Sequence, residues 1–177
     1  MLSVYRIPNS ELSKLVIVAI GSNLGRSREI IQAVFTHTKF ITDQPISQSS
    51  IWQTTPVDCP PGSPPFLNAV VSFFPQKKET PESLLAKMLE LEKVFGRRPK
   101  KVLNEPRPLD LDLIAFGDEV RSTPQLTLPH PRAHLRRFVL APLNEIAPDL
   151  ILPGQTKTVA ELLTALPAGE VCEKVNW

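Results

Sequence analysis

The chain has 177 residues, 42% hydrophobic and 21% charged, with 20 Lys and Arg against 18 Asp and Glu for a net charge of +2. That is enough apolar material for one globular domain, and it excludes a disordered chain, a coiled coil and a disulfide-stapled miniature. The longest apolar run, Leu15 to Ile20, is far below the ~20 residues of a membrane helix and too short for a signal-peptide core, which points to a cytoplasmic protein without membrane contact.

Residues 1–14 read as a leader before the first clear element, and residues 15–177 as a single domain. Leu15 to Ile20 is a continuous β-branched run, the pattern of a central strand, and Gly21-Ser-Asn-Leu-Gly25 turns the chain. Ile30, Ile31, Val34, Phe35 and Ile41 then recur roughly at helical spacing. Ser47 to Thr55 reads as a strand. Five prolines between Pro56 and Pro65 exclude helix and central strand, so a long loop follows, and Asn68 to Phe74 is the next strand.

The following helix is the best punctuated. Thr80 suits an N-cap, Pro81 the first helical position, and Gly96 a C-terminal stop, with Pro99 barring continuation. Leu84, Leu85, Met88, Leu89, Leu91 and Phe95 form its expected apolar stripe. Glu92 beside that stripe reads either as a solvated flank residue or as a site acid facing the basic loop at 97–101. Leu109 to Phe116 is a further strand. Arg137 to Ile146 starts a strand or helix that Pro142 interrupts, and Val159 to Leu166 is a short amphipathic helix. The order β-α-β-β-α-β indicates an α+β fold, a mainly antiparallel sheet with helices packed on it.

The chemistry concentrates at Glu105-Pro-Arg-Pro-Leu-Asp-Leu-Asp-Leu-Ile114. In a strand Leu109, Leu111 and Leu113 share one face, and Asp110 and Asp112 the other, about 6.5–7 Å apart along the backbone. The pair reads either as the wet side of a half-exposed strand or as a hard-cation site. Asp is depleted in strands, and two like charges so close are relieved by Mg²⁺, so on the pair alone both readings stand level. Arg107 nearby suits a metal-chelated phosphate. His130, held between two prolines and followed by Arg136 and Arg137, is a second candidate for phosphate contact, whereas His134 reads as solvated. There is no P-loop and no dinucleotide fingerprint. Cys59 and Cys172 lack metal-ligand spacing and are expected to be thiols.

Gly21-Ser-Asn-Leu-Gly25, Thr54-Thr-Pro56, Phe66-Leu-Asn68, Glu92 with Gly96-Arg97, Pro106-Arg107-Pro-Leu-Asp110-Leu-Asp112, and Pro129-His130 with Arg136 and Phe138 occur in one order. In that order they resemble the 6-hydroxymethyl-7,8-dihydropterin pyrophosphokinase family of folate biosynthesis, from about Val16 to about Leu152. The resemblance implies a ferredoxin-like-related αβ sandwich that transfers pyrophosphate from ATP to the pterin's hydroxymethyl group and releases AMP. By the same resemblance, Asp110 and Asp112 hold two Mg²⁺ ions. Arg97 and Arg107 stabilise charge in the transfer, and Glu92, Arg107, His130 and Arg136 serve the ATP side. Phe66 and Phe138 sandwich the pterin, Asn68 reads its polar edge, and Thr54, Thr55 and Val57 line its pocket.

The chain departs from the family pattern at Asn104-Glu105, where an aromatic-Gly pair is common, and at Pro99, Pro131 and Gln125. These positions bear on nucleotide affinity and loop closure. The implied partners are small molecules, with no nucleic acid, and the expected state is a monomer. Two alternatives stand beside this one. A nucleic-acid-binding α+β module would use the basic clusters, but aromatics are only 6% and no strand carries an interleaved basic-aromatic face. A metal-dependent phosphohydrolase would need a further acidic cluster that the sequence lacks.

Overall fold

The computed structural model describes residues 14–38, 42, 45–56, 59–99 and 102–175. The expected leader up to residue 13, Ile41 and Val57 lie outside the described residues.

β1 (Val16–Ser22) lies inside the sheet because it is apolar on both faces. Val16, Val18 and Ile20 join one core cluster with Ile31 and Val34 of α1 (Ser27–Thr38) and Leu84 and Met88 of α2 (Pro81–Val94). Ile17 and Ala19 point the other way, into a second cluster with Val139, Leu140 and Leu143 of α3 (Arg137–Ile146) and Val159 and Leu162 of α4 (Val159–Ala165). Helices therefore cover both faces.

β1 pairs antiparallel with β4 (Phe66–Phe73) on one side and β5 (Asp110–Phe116) on the other. Two short strands, β2 (Ser47–Gln48) and β3 (Trp52–Thr54), both pair with β4. β6 (Arg121–Ser122) and β7 (Thr127–Leu128) form a small separate ribbon. β8 (Cys172–Lys174) closes the main sheet, whose order is β5-β1-β4-β3-β8 with β2 beside β4. The α+β reading holds. A bulge opposite Ile17 and Val18 explains why two consecutive β5 residues, Ile114 and Ala115, both enter the second cluster.

Local chemistry explains the departures from the expected elements. Ser47 to Thr55 is broken into two strands because Ser50 turns its N–H and hydroxyl to the Glu145 carboxylate, at 3.0 and 2.7 Å, rather than to the ladder. α2 has the expected start: Thr80 Oγ1 accepts from the Ser83 N–H at 3.1 Å, and the Ser83 hydroxyl accepts from the Thr80 N–H at 2.9 Å. Its buried positions run Leu84, Met88 and Glu92, so Leu89 falls off the stripe and is 48% exposed. Glu92 is correspondingly buried and not a solvated flank residue. Helix α3 continues through Pro142 instead of stopping there. The ring costs the bond that residue 142 would donate to the Phe138 carbonyl, and burial of Val139 to Leu143 outweighs that loss. His134 is half-buried rather than solvated.

Candidate active site

A cleft of about 470 Å³ opens beside Gly21, on the face that carries α3. In register, Gly21 faces Asn68 of β4 on one side and Asp110 of β5 on the other. A Cβ at position 21 would lie 3.3 Å from Asn68 Oδ1 and 3.9 Å from Asp110 Cβ. Glycine is what lets these two side chains converge over the strand. Ala19, the next residue on that face, pairs with Asp112. Asp110 and Asp112 both line the cleft, while Leu109, Leu111 and Leu113 are buried on the opposite side, as the alternation requires.

The end of α2 delivers Arg97 to the first carboxylate. Gly96, at φ +89°, donates to the Lys93 carbonyl, and the Arg97 N–H donates to the Glu92 carbonyl at 2.9 Å. This left-handed stop fixes the backbone of Arg97. Its guanidinium Nη1 then donates to Glu92 Oε1 at 2.6 Å and to Asp110 Oδ1. Glu92 Oε1 also accepts the Leu111 N–H at 2.7 Å, so one acid braces both the arginine and the aspartate-bearing strand. Burial raises the Glu92 carboxyl to about 7, against the opposing pull of those two donors. Glu92 does not itself line the cleft.

A symmetry emerges around the two aromatics. The Arg107 guanidinium lies over the Phe66 ring, 5.5 Å from its centroid, and pairs with Asp110 Oδ2 at 2.9 Å. The Arg136 guanidinium lies over Phe138, at 5.3 Å, and reaches Asp112 Oδ2 at 3.4 Å. Each aromatic is thus joined through an arginine to one aspartate. Burial raises the Asp112 carboxyl above its ordinary value, and the neighbouring charge of Asp110 adds to the shift.

At the other end Asn68 Nδ2 donates to Thr54 Oγ1 at 2.7 Å, both residues being buried. Thr55 also lines the cleft, and its N–H is held by the Val171 carbonyl at 3.3 Å. His130 is pressed down to about 4 by burial and by Arg136 and Arg132, so its imidazole is neutral at pH 7. Its Nδ1 accepts the Arg132 N–H at 3.2 Å, which assigns the proton to Nε2, and Nε2 stands 3.5 Å from Arg136 Nη1. Two donors converging this closely make a seat for an anionic oxygen.

The structure thus brings together Thr54, Thr55, Phe66, Asn68, Arg97, Arg107, Asp110, Asp112, His130, Arg136 and Phe138 around one cleft. Sequence reasoning missed Asn23 and Arg132. Asn23 holds the Arg107 backbone at two points: its N–H donates to the Arg107 carbonyl at 3.1 Å, and its side-chain Oδ1 accepts the Arg107 N–H at 2.9 Å. Its position inside Gly-Ser-Asn-Leu-Gly was the available signal. Asn104, at φ +55°, lines the cleft, whereas Pro99, Pro131 and Gln125 are exposed and do not. Among the described residues no cluster of three or more Asp, Glu, His or Cys forms a metal site, and no helix is long and apolar enough to cross a membrane.

The model of the 7,8-dihydro-6-hydroxymethylpterin-pyrophosphokinase family matches residues 17–148. A 2-amino-4-hydroxy-6-hydroxymethyldihydropteridine pyrophosphokinase from Pseudomonas aeruginosa is 35% identical over 86% of this chain and 91% of its own. One of the same description from Synechocystis is 34% identical over 83% of this chain and 73% of its own. In fold, a Plasmodium falciparum HPPK-DHPS solved with pteroate aligns with 85% of this chain at a TM-score of 0.62 and 14% identity, the match spanning 42% of that longer chain. The chain therefore belongs to the 7,8-dihydro-6-hydroxymethylpterin-pyrophosphokinase family, which transfers pyrophosphate from ATP to hydroxymethyldihydropterin in folate biosynthesis.

Proposed function

We propose that Asp110 and Asp112 hold Mg²⁺, two ions in the working complex, together with the phosphates of ATP. The donor set fits: two hard carboxylates on one strand face, with no metal-holding cluster of three or more Asp, Glu, His or Cys among the described residues, match an ion that takes one or two carboxylates and fills its remaining sites with phosphate and water. When bound, Mg²⁺ neutralises charge on the transferred group.

The remaining work falls to the chain's own residues. Phe66 and Phe138 clamp the flat pterin, and Asn68, oriented by Thr54, reads its polar edge, with Thr55 beside it. For the ring to enter, the guanidinium groups over both aromatics must move. Incoming phosphates give Arg107 and Arg136 an alternative partner, while Arg97 stays anchored by Glu92. His130 Nε2–H and Arg136 grip a phosphate oxygen. The hydroxymethyl oxygen attacks the β-phosphorus in line, its bond forms as the bridge to the α-phosphate breaks, the hydroxyl proton is lost to water, and AMP leaves. Phosphoryl-type transfer needs placement and charge neutralisation more than covalent help, and these arginines supply both.

The observation that carries this reading is the linkage of each aromatic to one aspartate through an arginine, Phe66–Arg107–Asp110 and Phe138–Arg136–Asp112. Asp110→Ala and Asp112→Ala should each lose turnover while thermal unfolding stays cooperative. Near-normal rates in both would remove the carboxylates from the reaction. We place the enzyme in the cytoplasm, acting as a monomer on small molecules, with residues 15–177 as one working domain.

A further inference from the structure

Four arginines line the cleft: Arg97, Arg107, Arg132 and Arg136. Three are already paired with carboxylates, Arg97 with Glu92 and Asp110, Arg107 with Asp110, and Arg136 with Asp112. The Arg132 guanidinium has no hydrogen-bond or ion-pair partner among the described residues. Its backbone, by contrast, is well held. The Arg132 N–H donates to His130 Nδ1, its carbonyl accepts from Leu135 at 3.1 Å, and the adjoining Ala133 is buried at 3% exposure. A fixed backbone carrying an unpaired cation in the cleft wall, beside the Nε2–H of His130 and the guanidinium of Arg136, leaves that cation's charge available to a ligand. Arg132 is exposed, and it lines the cleft.

We propose that Arg132 is a fourth phosphate-binding arginine, contacting the nucleotide's polyphosphate from the His130 side of the cleft. The proposal rests on the reading of the cleft given above and adds a residue and a sequence of events to it. Arg107 and Arg136 must exchange a carboxylate for a phosphate, and Arg97 stays held by Glu92, whereas Arg132 has nothing to give up. It therefore meets the incoming anion first, and its contact is present in the nucleotide complex before any pterin enters. Its amide has a separate duty, setting the His130 tautomer, and side-chain truncation leaves that duty intact.

The test is equilibrium binding of MgATP and of magnesium with inorganic triphosphate to the full chain, comparing the unmodified enzyme with Arg132→Ala and Arg132→Lys. Loss of one charge-assisted contact should weaken both ligands by about 10-fold in the alanine variant, with the lysine variant intermediate. The dependence of affinity on salt should become shallower, and hydroxymethyldihydropterin binding should be unchanged. Equal weakening of ATP and triphosphate places the contact on the polyphosphate. Affinities within twofold of the unmodified enzyme, or weakening of ATP alone, would overturn the proposal. Failure of the pyrophosphokinase reading is separable, since it would appear as an unmodified enzyme that forms no AMP while triphosphate binding still responds to Arg132.

Discussion

Glu92 and Arg97 are joined twice, once through the backbone at 2.9 Å and once through the side chains at 2.6 Å, so the stop signal of a helix and a bridge to the Asp110 carboxylate are one piece of structure. Gly96 makes the double joint possible because it takes φ +89° without penalty. No atom lies within 4 Å of a Cβ built there, so Gly96→Ala should meet only the conformational cost, about 1–2 kcal/mol. It should also loosen Arg97. The expected outcome is a modest fall in melting temperature with a larger fall in kcat, read by thermal unfolding and steady-state rates on the same preparation. Loss of stability with kcat unchanged would separate the helix stop from the site.

Glu92 and His130 titrate in opposite senses. Glu92 is raised from 4.5 to about 7, so between these values the folded state keeps a proton that the unfolded state has released, and stability falls as pH rises. His130 is lowered from 6.5 to about 4, so between these values the unfolded state holds the extra proton, and stability rises with pH. The two slopes oppose each other from about 4.5 to 6.5, each reaching at most about 1.4 kcal/mol per pH unit. Relative to the unmodified chain, Glu92→Gln should tilt the stability profile upward with pH in this window, and His130→Asn should tilt it downward. Denaturant unfolding at several pH values reads both, and parallel profiles for all three proteins would refute the assignment.

Thr54→Val deletes the acceptor of the Asn68 amide in a buried place. An unpaired buried donor costs about 1–3 kcal/mol, and the amide is then free to turn away from the pterin edge. The KM for pterin should rise at least several-fold with the nucleotide KM unchanged. A rise in the nucleotide KM alone would put Asn68 on the wrong substrate.

Both oxygens of Asp110 are occupied by arginines, Arg97 on Oδ1 and Arg107 on Oδ2. Mg²⁺ alone has to displace these cations without offering them a new anion, whereas MgATP supplies phosphates in exchange. Thermal shift assays should therefore show little stabilisation by Mg²⁺ alone and a clear increase with Mg²⁺ and ATP together. A full shift with Mg²⁺ alone would mean that the arginines do not guard the carboxylate.

Much of this arrangement is visible in the sequence wherever a local pattern carries it. The Leu-Asp alternation at 109–113 placed both carboxylates on one face, and Thr80-Pro81 with Gly96 bounded α2. What stayed hidden depends on distant partners. Asn23 acts on Arg107, 84 positions away, and Glu92 could not be told from a solvated helix residue until β5 was laid against α2 to bring the Leu111 N–H to it. Pro142 misled because local propensity says stop, while burial on the second face of the sheet keeps α3 going. Arg132 was hidden among its neighbours, since a cluster of basic residues does not show which member lacks an acid.

The most direct measurement is the nucleotide product. With ATP, Mg²⁺ and hydroxymethyldihydropterin, product analysis should show AMP formed one-for-one with the pterin diphosphate, and label from the γ-phosphate should appear in the pterin product. Release of ADP with a pterin monophosphate would contradict attack at the β-phosphorus, and with it the placement of the triphosphate across Asp110, Asp112 and the arginines.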